Sequence, residues 1–267
     1  MEFLKTIKRR SFINEAIYVL LNIGLSVALL LIVRTTGSMW LAFLLVALSK
    51  WRIFAVRPRF WFANIQANMV SVIVSVSFVV FLYITNSANI GDWQTLTIQL
   101  ILVMFDIGWL LFLKAQSKRV YIVLQSGVAL FAGITAIFAL SYGLIASPVV
   151  LLSWLVGYST AEHILSSYDE ESHTVLLSLA WGLGVTEICW LAYHWTIAYR
   201  LPIAKDVLIP QVSIILLCFS FLVYKSYDSY SHHQKIRIND IILPLFFTIS
   251  IICILMFFFN GVSTKII

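Results

Sequence analysis

The sequence predicts an all-α, polytopic membrane bundle, and three observations predict it. Of its 267 residues, 61% are hydrophobic and only 11% charged, against about 25% charged in soluble domains. The apolar residues gather into nine segments of about 20 residues, the length that crosses a bilayer. Lysine and arginine collect in alternate connections between those segments. So few charges could not cover the surface of a water-soluble fold of this size. The net charge of +6 is then explained by topology, and nucleic acid is not an expected partner. The nine tryptophans fit anchors at the membrane interface.

The first segment, 13–33, follows a basic stretch (Lys5, Lys8, Arg9, Arg10). Its apolar run, 16–33, is longer than the roughly 7–15 residues of a signal-peptide core, and no small-residue cleavage motif follows. It is read as a retained helix. The second, 38–56, has a short apolar core, 39–48, and needs Lys50 and Arg52 to snorkel to the interface. The others are 68–85, 93–113, 120–140, 149–168, 174–198, 207–227 and 241–262. Short connections favour antiparallel neighbours. Pro148, Pro202 and Pro244 fall at or near helix starts or in loops, and Pro210 in the first turn of the eighth helix, where a missing N–H costs little. No stretch between segments exceeds about 20 residues, too short for a soluble domain. Residues 1–267 are therefore read as one membrane domain.

Charge tests this map. With the N-terminus inside, the inner connections hold fourteen of the eighteen basic residues, and the outer ones hold Arg34, Arg200, Lys205 and Lys265. The positive-inside rule expects that bias. An odd helix count then puts the C-terminus outside, in what is expected to be the plasma (inner) membrane.

Ionisable residues inside such helices are costly, at about 2.5–3.5 kcal/mol each on insertion scales. Asp106, Glu162, Glu187 and His194 are inside, and His163 adjoins Glu162. Thr95, Gln99 and Asp106 share one face of the fourth helix. Ser159, Glu162, His163 and Ser166 share a face of the sixth, and Gly184, Glu187 and His194 a face of the seventh. At about 1.5 Å per residue, Asp106 lies roughly 12 Å from the inner end, Glu162 roughly 9 Å and Glu187 roughly 20 Å. Such a ladder is the pattern of a proton or cation relay. The competing reading is interhelical glue, worth about 0.6 kcal/mol per polar contact.

Other chemistries find less support. Cys189, Cys218 and Cys253 lie in apolar segments without metal-like spacing and read as small hydrophobes. Glu162 or His163 with Glu187 and His194 could assemble a metal site only across helices, and neither E-x-x-H nor H-E-x-x-H occurs. Glu170–Glu171 with Trp190-x-x-x-His194 resembles, in outline, the E-E-x-x-x-R and F-x-x-x-H motifs of the type II CAAX prenyl endopeptidases. No arginine follows the acidic pair, tryptophan replaces phenylalanine, and His194 falls at the opposite face, so no family is assigned. No cofactor is expected and enzymatic activity is not favoured.

The inner segment 50–61 alternates cations (Lys50, Arg52, Arg57, Arg59) with large aromatics, a composition that lies along anionic lipid headgroups. Arg57 and Arg59 flank Pro58 and could fork one phosphate. The acidic connection 169–173 is the inner loop without a basic residue. On the fifth helix, Ala129/Gly133 and Ala132/Ala136 allow close helix approach, within the chain or in a homo-oligomer. The expected function is a small proton- or cation-linked permease with a polar path between the fourth, sixth and seventh helices. The alternatives are a scaffold subunit of a larger membrane complex, and a lipid-modifying or lipid-moving protein using the basic-aromatic segment.

Overall fold

The structure is a computed structural model that describes residues 2–55, 57–88, 91–141, 144–168, 171–194, 198–200 and 208–258. Long apolar runs dictate helices, because a backbone in lipid must satisfy its own hydrogen bonds. Helix α1 (Glu2–Thr36) ends where Gly37 turns left-handed at φ 61° and returns its N–H to Val33 O at 3.0 Å, a conformation that favours glycine. Ser38 Oγ then accepts from Leu41 N and caps α2 (Met39–Ser49).

Helix α2 has 11 residues, about 16 Å of rise, roughly half the hydrocarbon thickness. The remainder of the expected second helix winds into two 3₁₀ turns, Trp51–Phe54 and Pro58–Phe60. Pro58 pushes Arg57 to an extended backbone, ψ 139°, which interrupts an α-helix. Then come α3 (Trp61–Ser87), α4 (Asp92–Gly108) running into a π-helical turn (Trp109–Leu113), α5 (Arg119–Leu140), α6 (Ala146–Leu165) and α7 (Thr174–His194). A two-stranded antiparallel hairpin, β1 (Ala198–Arg200) with β2 (Leu208–Pro210), pairs Tyr199 with Ile209. It occupies the margins of the expected seventh and eighth helices. Helices α8 (Gln211–His233) and α9 (Ile238–Phe258) follow. Pro202, Lys205 and Lys265 lie outside the described residues, as does Glu170 of the acidic pair.

Seven helices among the described residues are long and apolar enough to cross a membrane. The chain is thus an all-helical, multi-pass membrane protein. Helix α2 is too short for that set. Helix α6 is long enough at 20 residues, but Ser153, Ser159, Thr160, Glu162 and His163 dilute its apolar character. Those groups mostly face other helices, which removes their cost in lipid.

Two cores organise the bundle. One is built from α1–α4 and contains Leu29, Val33, Ala42, Phe78, Leu82 and Val103. The other surrounds α5 and includes Ile73, Leu130, Ile134, Phe138, Val156, Val185 and Leu216. Small residues set its spacing. A Cβ on Gly133 would meet Ile73 Cγ2 at 2.9 Å, and one on Gly157 would meet Val185 Cβ at 2.9 Å and Gly182 Cα at 3.2 Å. The small residues expected to let α5 pack closely, Ala129, Ala132, Gly133 and Ala136, are all buried there.

Polar contacts tie the helix ends together. At one end Tyr168 donates to Asp228 Oδ1 (2.9 Å), and the Arg119 guanidinium lies 4.1 Å over the Tyr168 ring. There too Tyr227 donates to Glu171, and Ser229 donates to Asp240 Oδ2 (2.8 Å). These bonds join the start of α5, the end of α6, the end of α8 and the start of α9.

Candidate functional site

The buried face of α4 carries Thr95, Gln99, Val103 and Asp106, because this stripe meets α1 and α3. Gln99 is fully buried, with Nε2 towards Asn86 Oδ1 (3.4 Å) and Leu82 O (3.5 Å). It ties α4 to the end of α3. Two turns further on, Asp106 is 6% exposed and Oδ2 accepts from Ser26 Oγ of α1 at 2.6 Å. Ser26 is itself fully buried. Among the described residues Asp106 makes no ion pair at contact distance.

Two amines share its neighbourhood. Lys50, at the end of α2, donates from Nζ to Ser71 Oγ of α3 at 2.8 Å. Lys114 acts on Lys50 through space, and both act on Asp106 in the same way. Lys50 therefore turns away from the row of cations expected along the headgroups. The short α2 explains this, since it ends beside α3.

Lys114 arrives by a different device. In a continuous α-helix it would lie about 80° round from Asp106, eight residues earlier. The π turn, closed by Lys114 N donating to Trp109 O at 2.9 Å, adds one residue to the turn. It rotates the residues beyond it back by about one position, or 100°, so Lys114 falls within about 20° of the Asp106 face. Gln125 of α5 holds this turn, donating from Nε2 to Leu113 O (2.6 Å) and Gln116 O (3.0 Å). His163 Nε2 in turn bonds Gln125 Oε1 at 2.8 Å.

The other expected site residues lie elsewhere. Glu162 is half-buried near Gln66 of α3, which donates to Tyr158 OH at 2.8 Å. Gln66 and Ser71 are five residues apart, hence about 140° apart around α3. Helix α3 thus stands between the Glu162 group and the Asp106 group. Glu187 is exposed and makes no hydrogen bond or ion pair among the described residues. The face of α7 that packs on α6 is Ser178, Gly182, Val185 and Cys189, and Glu187 lies off it. His194 is also exposed, its ring edge-on to Trp190 and Tyr193. The structure does not gather Asp106, Glu162 and Glu187 into one cavity. Among the described residues no group of three His, Cys, Asp or Glu side chains could hold a metal ion.

On the 3₁₀ segment Arg57 and Arg59 are exposed, Arg59 lying 4.4 Å over the Phe60 ring, while Ile53 is buried. The side chain of Arg52 lies outside the described residues. Sequence reasoning missed the grouping of Lys50 and Lys114 with Asp106. The signal that could have found it is a lysine at the end of an unusually short apolar segment. The chain matches no family model, no curated protein and no solved structure.

Proposed function

We propose that this protein is a small proton- or cation-linked permease in which Asp106 is the charge-bearing site. One observation carries the reading. Asp106 is a buried carboxyl whose contact partner is a serine hydroxyl, and among the described residues neither nearby lysine pairs with it at contact distance. A carboxyl left without a contact cation inside a membrane bundle is a site for a proton or a cation. Glu162, with Gln66 and Tyr158, is a second polar station nearer the basic end, on the far side of α3. His163 acts through Gln125 on the π turn. Glu187 and His194 stand outside this path.

In this reading the end that bears Arg57, Arg59, Lys118, Arg119, Lys235 and Arg237 faces the cytoplasm. Helix α6 crosses with its partners α5 and α7. Helix α2 plus its 3₁₀ extension returns the chain to the inner face, preserving nine passes. Arg57 and Arg59 rest on anionic headgroups of the plasma membrane.

The test is proton uptake into liposomes holding the purified protein and a pH-sensitive dye. The wild type dissipates an imposed pH gradient and Asp106→Asn does not. Equal rates for the two proteins would overturn the proposal. The topology is checked by cysteines placed at Lys118 and Ser38, which an impermeant maleimide should label from opposite sides.

A further inference from the structure

The start of α6 and the end of α7 flank an open groove of about 500 Å³, within the roughly 300–1,000 Å³ of small-molecule sites. Ser147, Val150 and Trp154 line it from α6, and Leu183, Thr186 and Trp190 from α7. Gly182 shapes it. A Cβ there would stand 3.2 Å from Cδ1 and Nε1 of the Trp154 indole, so only glycine lets that ring lie against α7. Thr186 spends its hydroxyl on Gly182 O at 2.8 Å. The lining is thus mainly aromatic and aliphatic carbon, and it contains no cation.

One acid stands on the rim. Leu183 and Trp190 precede and follow Glu187 by four and three residues, which makes both its neighbours on the α7 surface. Its other neighbours at that spacing are Leu191 and Gly184, and a Cβ on Gly184 would meet nothing within 4 Å. Glu187 is exposed, about 140–180° round the helix from each residue of the seam with α6. It lies about 20 Å along α7 from Thr174. A carboxylate at that depth, turned away from the bundle, calls for a partner of opposite charge.

We propose that this groove binds a lipophilic organic cation, its apolar body between Trp154 and Trp190 and its charge against the Glu187 carboxylate. Charge selects the sign of the ligand, and indole rings favour the same sign. An anion of the same shape gains from neither. Length selects a small molecule. Ser147 to Trp154 spans about 10 Å of α6, a third of what a membrane-crossing helix would need to lie in. In the orientation proposed above the groove opens sideways to the outer leaflet, where such cations partition. It shares no residue with the Asp106 group, and it would hold its ligand whether or not Asp106 carries a proton.

Equilibrium binding of tetraphenylphosphonium to the full chain in phosphatidylcholine nanodiscs tests this, with binding to empty nanodiscs subtracted. Tetraphenylborate serves as the anion of matching shape. The cation should bind saturably and the anion should not. Glu187→Gln should weaken cation binding by about tenfold or more, because a contact charge pair is strong where water is scarce. Glu187→Asp, which keeps the charge, should retain most of it, a rescue that no folding defect imitates. Leu183→Trp should block binding by filling the groove. Asp106→Asn should bind as wild type does. Equal binding of cation and anion, unchanged affinity in Glu187→Gln, loss of affinity in Asp106→Asn, or no saturable binding above empty nanodiscs overturns the proposal.

Discussion

The α1–α4 half and the α6–α7 pair treat an acid in the same sort of sequence in opposite ways. Asp106 and Glu187 each lie within an apolar helix, each on a periodic stripe of small or polar residues. On α4 that stripe meets Ser26 and the neighbouring helices, and Asp106 is buried. On α7 a different face, Gly182 with Val185 and Cys189, is pressed onto α6, and Glu187 is left exposed. Burial of a polar stripe is therefore decided by which face offers the closest approach. On α7 glycine won, because backbone 3.2 Å from a would-be Cβ excludes a glutamate.

The contrast can be broken first by activity. Asp106→Asn should reduce proton uptake to the level of protein-free liposomes, whereas Glu187→Gln should leave it unchanged. Loss in both variants would put Glu187 back on the path. Next, the same change of acid to leucine should move stability in opposite directions. Glu187→Leu removes an exposed carboxyl that costs about 2.5–3.5 kcal/mol at mid-membrane and should raise the thermal midpoint. Asp106→Leu should lower it, because it leaves the buried Ser26 hydroxyl without its Asp106 acceptor. Two shifts of one sign would refute the difference in burial.

The α6–α7 seam is sharpened by Gly157→Val, whose added atoms meet Val185 and the Gly182 backbone. A cost of about 1–3 kcal/mol is expected from overpacking, read in thermal unfolding. Gly184→Ala, where no atom lies within 4 Å of the added Cβ, serves as its silent control. In the other half, Gln125→Leu removes the amide that donates to the carbonyls of Leu113 and Gln116, although Leu113 O keeps the Gln116 N–H. The expected cost is about 1–3 kcal/mol, read in thermal unfolding. An unchanged thermal midpoint would show that Gln125 does not hold the π turn.

The smallest effect is at the helix ends. The Tyr227 hydroxyl, followed by the His173 backbone N–H, holds the half-buried Glu171 carboxyl below its ordinary value of 4.5. A carboxyl lowered in the folded state stabilises above its unfolded pKa, and that contribution fades as pH falls below about 4.5 through the folded value. Glu171→Gln should lower stability slightly at neutral pH and converge with the wild type below that acid window, which flattens the acid limb. A steeper acid limb in the variant would contradict the assignment.

Much of the fold was legible from the chain alone. Apolar runs near 20 residues define helices because lipid leaves the backbone no other partner, and the stripe of Thr95, Gln99 and Asp106 marked the buried face of α4. The small residues of α5 likewise announced close helix packing, and all four are buried. Periodicity, however, states only that residues share a face; it does not say what that face meets. The half-length of α2, the π turn after Gly108 and the Gly157–Gly182 contact are set by neighbours distant in the chain. They bring Lys50 and Lys114 to Asp106, send Glu162 to the other side of α3, and turn Glu187 out of the core. Rotation about a helix axis costs nothing locally, so it is the partner helices that choose it.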